Sequence, residues 1–219
     1  MHKNRYLKNI PEKSDLLLKK VFSLSPKRNY KYNFKSSALI LVDMQNYFFS
    51  EKSHAFIPSS EYIIEPVKNL ISAYEKNKGL IVFTRHINNS KNAGMMNKWW
   101  GDIIVNNQFS EIFDAFNTKG KKVIIKSQYD AFQKSGLGVF LQKKKIKQLV
   151  ICGVMTNLCC ETTARSAFVK GFEVFFPVDS NATYNEMLHL SSLYNLSYGF
   201  AHIVKSDELI KIIKRNGRK

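Results

Sequence analysis

The three cysteines of this 219-residue chain, Cys152, Cys159 and Cys160, fall within nine positions. The stretch that holds them opens as an apolar run, Leu149-Val150-Ile151-Cys152, which suits a buried strand. Gly153 breaks it. Beyond the break Cys159, Thr163, Ala164, Ala167 and Phe168 recur at helical spacing. Cys159 therefore stands at a strand-to-helix junction, where free backbone N–H groups and the positive end of the helix dipole favour a thiolate. A buried cysteine beside a tight turn accounts for the same residues equally well. Two more chemistry-bearing residues end apolar runs: Asp43 after Ala38–Val42, and Lys126 after Val123–Ile125. An aspartate can take a thiol proton and return it to a leaving group. A lysine can favour the thiolate and hold the aspartate ionised. Singly, Asp43 reads as a cap, Lys126 as a solvated strand end and Cys159 as core; the three together read as a site for nucleophilic catalysis.

The elements that must position them alternate. The hydropathy pattern predicts strands over 38–42, 80–84, 122–125, 148–152 and 172–178, with a short sixth over 201–204. It predicts helices over 61–77, 137–145, 158–170, 185–198 and 207–215, with a short one over 110–117. Apolar strands alternating with helices imply a three-layer α/β sandwich, a mostly parallel sheet of about six strands with helices on both faces. Sites in such sheets form outside the carboxyl ends of the strands. Asp43, Arg85, His86, Lys126, the 153–160 turn and Asp179 all fall there. Residues 1–36 read as a basic extension with a short docking helix, capped by Ser14, running from Asp15 to Ser23 and ended by Pro26; residues 37–219 read as the main domain. Residues 88–107 form a long loop whose tryptophans, Trp99 and Trp100, argue for order, as a lid or as an interface.

Composition narrows the function classes. No apolar run approaches the ~18 residues that span a membrane, and the N-terminus lacks the apolar core of a secretory signal. No CxxC pair is present, so a disulfide scaffold or zinc site is not expected, and the default setting is cytoplasmic. The net charge is +17, of which residues 1–36 carry +8. Such a balance admits a basic-surface binding protein with a vestigial site. The lysines are scattered, however, and no aromatic RNA-binding signature accompanies them, so solvated helix faces are the preferred reading and nucleic acid is not the expected partner.

Three motifs then carry a resemblance: Leu41-Val42-Asp43-Met44-Gln45-Asn46, Ile125-Lys126-Ser127-Gln128-Tyr129-Asp130-Ala131-Phe132, and Gly153-Val154-Met155-Thr156-Asn157-Leu158-Cys159 with Thr163-Ala164-Arg165. In this order they resemble the isochorismatase-like cysteine hydrolases over roughly residues 37–205. The resemblance implies a Rossmann-like α/β fold, a catalytic triad at Asp43, Lys126 and Cys159, and a non-proline cis peptide at Val154–Met155. It also implies an oxyanion hole from the N–H groups of Met155 and Cys159, no cofactor, and a homo-oligomer, dimer or tetramer. Cys160 and Cys152 are left with packing roles.

Departures from the family narrow the expectation. The nicotinamidase branch carries an Asp-x-His…His metal cluster after the second strand; here that region reads Arg85-His86-Ile87-Asn88-Asn89, so no catalytic metal is expected, and His86 is read as a loop hydrogen-bonding residue. Isochorismatases proper cleave a vinyl ether with an aspartic acid and typically lack the cysteine. Because Cys159 is present, an amide, ureido or related C–N bond, cleaved through a thioester, is preferred, with vinyl ether hydrolysis by Asp43 as general acid the alternative. The substrate is expected to be a small molecule. Gln45, Tyr47, Phe48, Arg85, Trp99, Trp100 and Tyr129 are candidate pocket residues, and the rigid Arg85 guanidinium would select a carboxylate-bearing substrate.

Overall fold

A computed structural model describes residues 2–216. The elements follow in order: α1 (Ile10–Leu24), β1 (Ser37–Val42), α2 (Asn46–Phe49), α3 (Ser60–Lys76), β2 (Leu80–His86), α4 (Met95–Trp100), β3 (Lys122–Lys126), α5 (Leu137–Lys143), β4 (Gln148–Val154), α6 (Glu161–Val169), β5 (Glu173–Pro177), β6 (Asn181–Ala182), α7 (Glu186–Gly199), β7 (His202–Val204) and α8 (Ser206–Asn216). The sheet is parallel in the order β3-β2-β1-β4-β5-β7, and the short β6 pairs with β4. The expected α/β sandwich is the observed one, with β6 as an unforeseen seventh strand.

The strands sort their side chains by the period of two. Leu39, Leu41, Phe83, Val150, Cys152 and Phe175 face one way, against α3 and α8 through Ile63, Val67, Leu70, Leu209 and Ile213. Ala38, Ile40, Val42, Leu149, Ile151, Val174 and Phe176 face the other, with Leu137, Leu141, Ala164, Ala167, Leu193 and Leu196 of α5, α6 and α7. After β1 the chain adds β2 and β3 on one side, then returns to place β4 on the other. The crevice at this switch in strand order lies at the ends of β1 and β4, beside Asp43 and the Cys159 turn.

Several boundaries differ from expectation. α1 begins a turn early, at Ile10, with Pro11 in its first turn, where proline costs no hydrogen bond. Ser14 is not a cap; it lies inside the helix and its hydroxyl donates to the Ile10 carbonyl at 2.6 Å. Residues 110–117 hold no α-helix, only the end of a 3-10 turn over Gln108–Ser110. Strand β2 runs two residues beyond Thr84, because β3 offers it a hydrogen-bonding partner as far as the His86–Lys126 register.

Candidate active site

The turn that carries Cys159 is built on a close approach of two strands. At Gly153, φ is +134°, and a Cβ there would lie 2.1 Å from the Val42 carbonyl oxygen, so β1 and β4 can pair at this point only with glycine. The Val154–Met155 peptide that follows is cis. Thr156–Cys160 then form a π-helical turn before α6. The Met155 carbonyl takes the N–H of Leu158 at 3.1 Å and of Cys160 at 3.2 Å, which leaves the Cys159 N–H outside that pattern. Of the three cysteines, all buried, Cys159 borders the open pocket.

Asp43 follows β1 with φ +52° and is fully buried. Aspartate is among the few residues that tolerate this left-handed backbone. Thr84 fixes it from two sides: the threonine hydroxyl accepts the Asp43 N–H at 3.1 Å and donates to Oδ1 at 2.7 Å. Oδ2 faces Lys126 Nζ at 2.7 Å.

Lys126, the last residue of β3, is the hub. Its buried ammonium also lies 3.3 Å from Cys159 Sγ, 2.9 Å from the Gln128 carbonyl and 3.1 Å from His86 Nδ1. Burial works to lower the pKa of this ammonium, but Asp43 and Cys159 beside it prevail, and the net shift is upward. It remains a cation at neutral pH. Burial, with Lys126 opposing it and Asp43 adding to it, pushes the Cys159 thiol well above its ordinary range. The resting cysteine is therefore a thiol, and it needs a base. Burial, then the charge of Lys126, lowers His86 to about 4. His86 is thus neutral; its Nδ1 accepts from Lys126, and Nε2–H donates to Asn88 Oδ1 at 2.7 Å. Asn88 in turn donates to the Ser127 carbonyl at 2.7 Å.

Asp43, His86 and Cys159 offer one oxygen, one nitrogen and one sulfur within 4.8 Å of one another, a donor set that could suit a transition metal. Lys126 Nζ stands within 3.3 Å of all three donors. A protonated amine already holds the place of the cation, and these residues do not fit a metal ion while it is there.

The cavity above this cluster is lined mainly by apolar and aromatic side chains: Tyr47, Phe48, Trp100, Ile104, Tyr129, Met155, Leu158 and Tyr184, with His54, His86, Asn88 and Asp102 as polar contacts. Tyr47, Phe48, Trp100, Tyr129, Met155 and Cys159 all border it. Trp100 Nε1 donates to the Tyr129 hydroxyl at 2.6 Å, tying α4 of the long 88–107 loop to the Lys126 motif, whereas Trp99 is 75% exposed. Thr163 of α6 holds that motif from below by accepting the Ala131 N–H at 3.0 Å.

Two expected pocket residues do not belong to it. Gln45 is fully buried; its Oε1 accepts the His86 N–H at 2.7 Å, and its Nε2 donates to the carbonyls of His86 and Ser110 at 3.0 and 2.8 Å. It pins the 108–111 segment to β2. Arg85 points to the other face of β2 and donates to Ser110, Asn106 and Glu111. Since β2 extends through His86, adjacent side chains alternate, and His86 rather than Arg85 faces the site. Thr84 and His86, two apart on one strand face, both touch the cluster; the sequence reading left Thr84 out and set His86 in a loop, and their spacing was the available signal.

The Isochorismatase domain pattern matches residues 37–208. Nicotinamidase 3 of Arabidopsis thaliana is 40% identical over 190 residues, covering 84% of this chain and 92% of the relative. A cysteine hydrolase from Pseudomonas syringae pv. phaseolicola has the same fold, with a TM-score of 0.83 at 22% identity over 87% of this chain and 98% of its own. A pyrazinamidase from Pyrococcus horikoshii, solved in complex with zinc, gives a TM-score of 0.69 at 25% identity over 78% and 99% of the two chains. A domain match over most of the chain and a relative this similar show that the protein belongs to the isochorismatase family of hydrolases.

Proposed function

We propose that the protein is a cysteine amidohydrolase that cleaves the C–N bond of a small, planar aromatic carboxamide, nicotinamide being the first to try. The observation that carries this reading is the placement of Lys126 Nζ between Asp43 Oδ2, at 2.7 Å, and Cys159 Sγ, at 3.3 Å, on the floor of an aromatic-walled pocket. Similarity to a nicotinamidase favours the aromatic amide over an ureido substrate.

In this reading Asp43 takes the Cys159 proton as sulfur attacks the carbonyl carbon. The developing oxyanion is met by the N–H groups of Met155 and Cys159, each such donor being worth about 3 kcal/mol. The tetrahedral adduct collapses, the C–N bond breaks, and Asp43 returns the proton to the departing nitrogen as ammonia leaves. Asp43 then deprotonates a water that attacks the thioester, the C–S bond breaks, Asp43 passes the proton to the Cys159 sulfur, and the carboxylic acid departs. Lys126 pairs with the Asp43 carboxylate and steadies the sulfur anion, and His86 and Asn88 hold Lys126 in register. The Tyr47, Phe48, Trp100 and Tyr129 side chains offer flat apolar surface to the substrate ring.

Ammonia release from nicotinamide, benzamide and small ureides, measured for wild type and Cys159→Ala, tests the reading. Turnover of at least one amide by wild type is expected, with an acyl adduct on Cys159 by mass spectrometry after rapid acid quench. Full ammonia release by Cys159→Ala would overturn it, because no thioester could then form.

A further inference from the structure

The family match begins at residue 37, and the segment before it lies outside that match. Its first residues do not trail away from the site. Asn4 N–H donates to the Tyr184 carbonyl at 2.9 Å, and Asn185 Nδ2 donates to the His2 carbonyl at 2.9 Å. On the other side Lys3 Nζ donates to the His54 carbonyl at 2.6 Å while standing 4.3 Å from the centre of the Tyr184 ring. The Ser59 hydroxyl donates to the Asn4 carbonyl at 3.0 Å and accepts the Leu7 N–H at 3.4 Å. Residues 2–7 thus bridge two stretches far apart in sequence: 54–59, ahead of α3, and 183–185, ahead of α7. Those stretches supply His54, Ala55 and Tyr184 to the wall of the pocket.

The bridge also reaches beneath the nucleophile. Tyr6 is buried, and its hydroxyl accepts the Thr183 N–H at 3.1 Å. Its ring lies 5.3 Å from that of His189, whose Nδ1 is 2.9 Å from the hydroxyl of Thr156, the first residue of the turn that carries Cys159. Residues 50–59 hold only turns and bends, so nothing in their own secondary structure keeps His54 and Ala55 against the pocket. A loop of that kind takes its position from what is packed on it.

We propose that residues 2–7 form a positioning arm that fixes the two walls of the substrate pocket, making this N-terminal segment, outside the matched domain, a determinant of substrate affinity. The kinetic part of the proposal rests on the amidohydrolase reading; the geometric part does not. The arm meets the walls and not the reacting atoms, so its loss should act on binding more than on chemistry.

The test uses the full chain lacking residues 2–5, which retains the buried anchors Tyr6 and Leu7, and the milder Lys3→Ala. KM for the amide should rise about fivefold in the deletion, the effect of one or two net hydrogen bonds, with kcat within about twofold of wild type. Lys3→Ala should show a smaller change in the same direction. Alkylation of Cys159 by a bulky aromatic maleimide, followed by mass spectrometry, should accelerate in the deletion by a similar factor as the walls loosen. Unchanged KM and unchanged alkylation would overturn the proposal. So would a lower melting temperature or kcat with both of those unmoved, since that is the signature of a merely structural segment. A wild type that turns over no amide yet shows arm-dependent alkylation would sink the amidohydrolase reading and leave the arm in place.

Discussion

Replacing Lys126 with methionine removes the hub of the site at nearly constant volume. The Lys126 and Asp43 side chains are both 0% exposed and 2.7 Å apart, so the variant leaves a buried carboxylate without its ammonium partner. Breaking a buried pair from one side costs about 3–5 kcal/mol, which for a chain of this size is a fall of roughly 10 °C in melting temperature. Adding Asp43→Asn removes the orphaned charge. Asparagine tolerates the left-handed backbone at position 43 and keeps an oxygen for Thr84, so the double variant should recover most of the lost stability. Both variants should lose turnover by about a thousandfold or more, because base and counter-charge are gone. Urea unfolding of wild type, both single variants and the double variant gives the coupling energy directly. The sign with pH follows from the raised Lys126 pKa: the pair's contribution is complete below the unfolded lysine value near 10.4 and lost as pH rises through the folded one. Lys126→Met should therefore flatten part of the alkaline limb. A Lys126→Met protein as stable as wild type, or a double variant less stable than either single one, would refute the reasoning.

Gly153→Ala should unfold or strongly destabilise the protein, by about 3 kcal/mol or more, since its Cβ would sit 2.1 Å from the Val42 carbonyl; normal melting would count against the β1–β4 approach described above. His86 and His189 both have folded pKa values lowered to about 4, chiefly by burial. Each should contribute about 3 kcal/mol that is present above the unfolded value near 6.5 and lost as pH falls through 4. His189→Asn should remove about half of that acid sensitivity in urea titrations run from pH 7 to 4. Arg85→Ala should cost about 1–2 kcal/mol of stability by freeing the 106–111 segment and leave KM unchanged, whereas a large rise in KM would restore Arg85 to the pocket.

How far the site could be read from the sequence depended on whether a residue's role was local. Asp43 and Cys159 come after β1 and β4, strands buried throughout, and Lys126 ends the apolar run of the half-exposed edge strand β3, so each strand's end places its residue without knowledge of the partner strands. Gly153 declared the break in its strand in the same way. Arg85 and His86 did not yield, because which of two adjacent side chains faces the site depends on where the strand stops, and β3 decides that through the His86–Lys126 register. Gln45 was misplaced for a related reason. Its amide is spent on the backbone of His86 and Ser110, 41 and 65 positions away, and such long-range pairing leaves no pattern in a single chain. β6 is two residues long, too short for any periodicity to show.

In the proposed reaction the cluster's charges account for how a thiol pushed so far up by burial would act as a nucleophile. At rest the buried group holds one carboxylate, one ammonium, a neutral imidazole and a thiol, with no net charge. Moving the proton from Cys159 to Asp43 leaves that total unchanged: the negative charge shifts from an oxygen 2.7 Å from the ammonium to a sulfur 3.3 Å from it. Loss of the thiol proton to bulk water is the step that burial penalises, because it would leave an uncompensated charge in the interior. Transfer within the cluster avoids most of that penalty. The consequence is measurable. An isolated cysteine reacts about tenfold faster per pH unit below its pKa, because the thiolate fraction grows at that rate. Cys159 should instead be alkylated by iodoacetamide at a rate nearly independent of pH between about 6 and 9, since its reactive form is a tautomer of the resting cluster and not a deprotonated state of it. Asp43→Asn should abolish that plateau and leave a slow reaction that climbs with pH. A wild-type rate that itself climbs tenfold per unit toward an ordinary thiol value would show that Asp43 is not the proton acceptor.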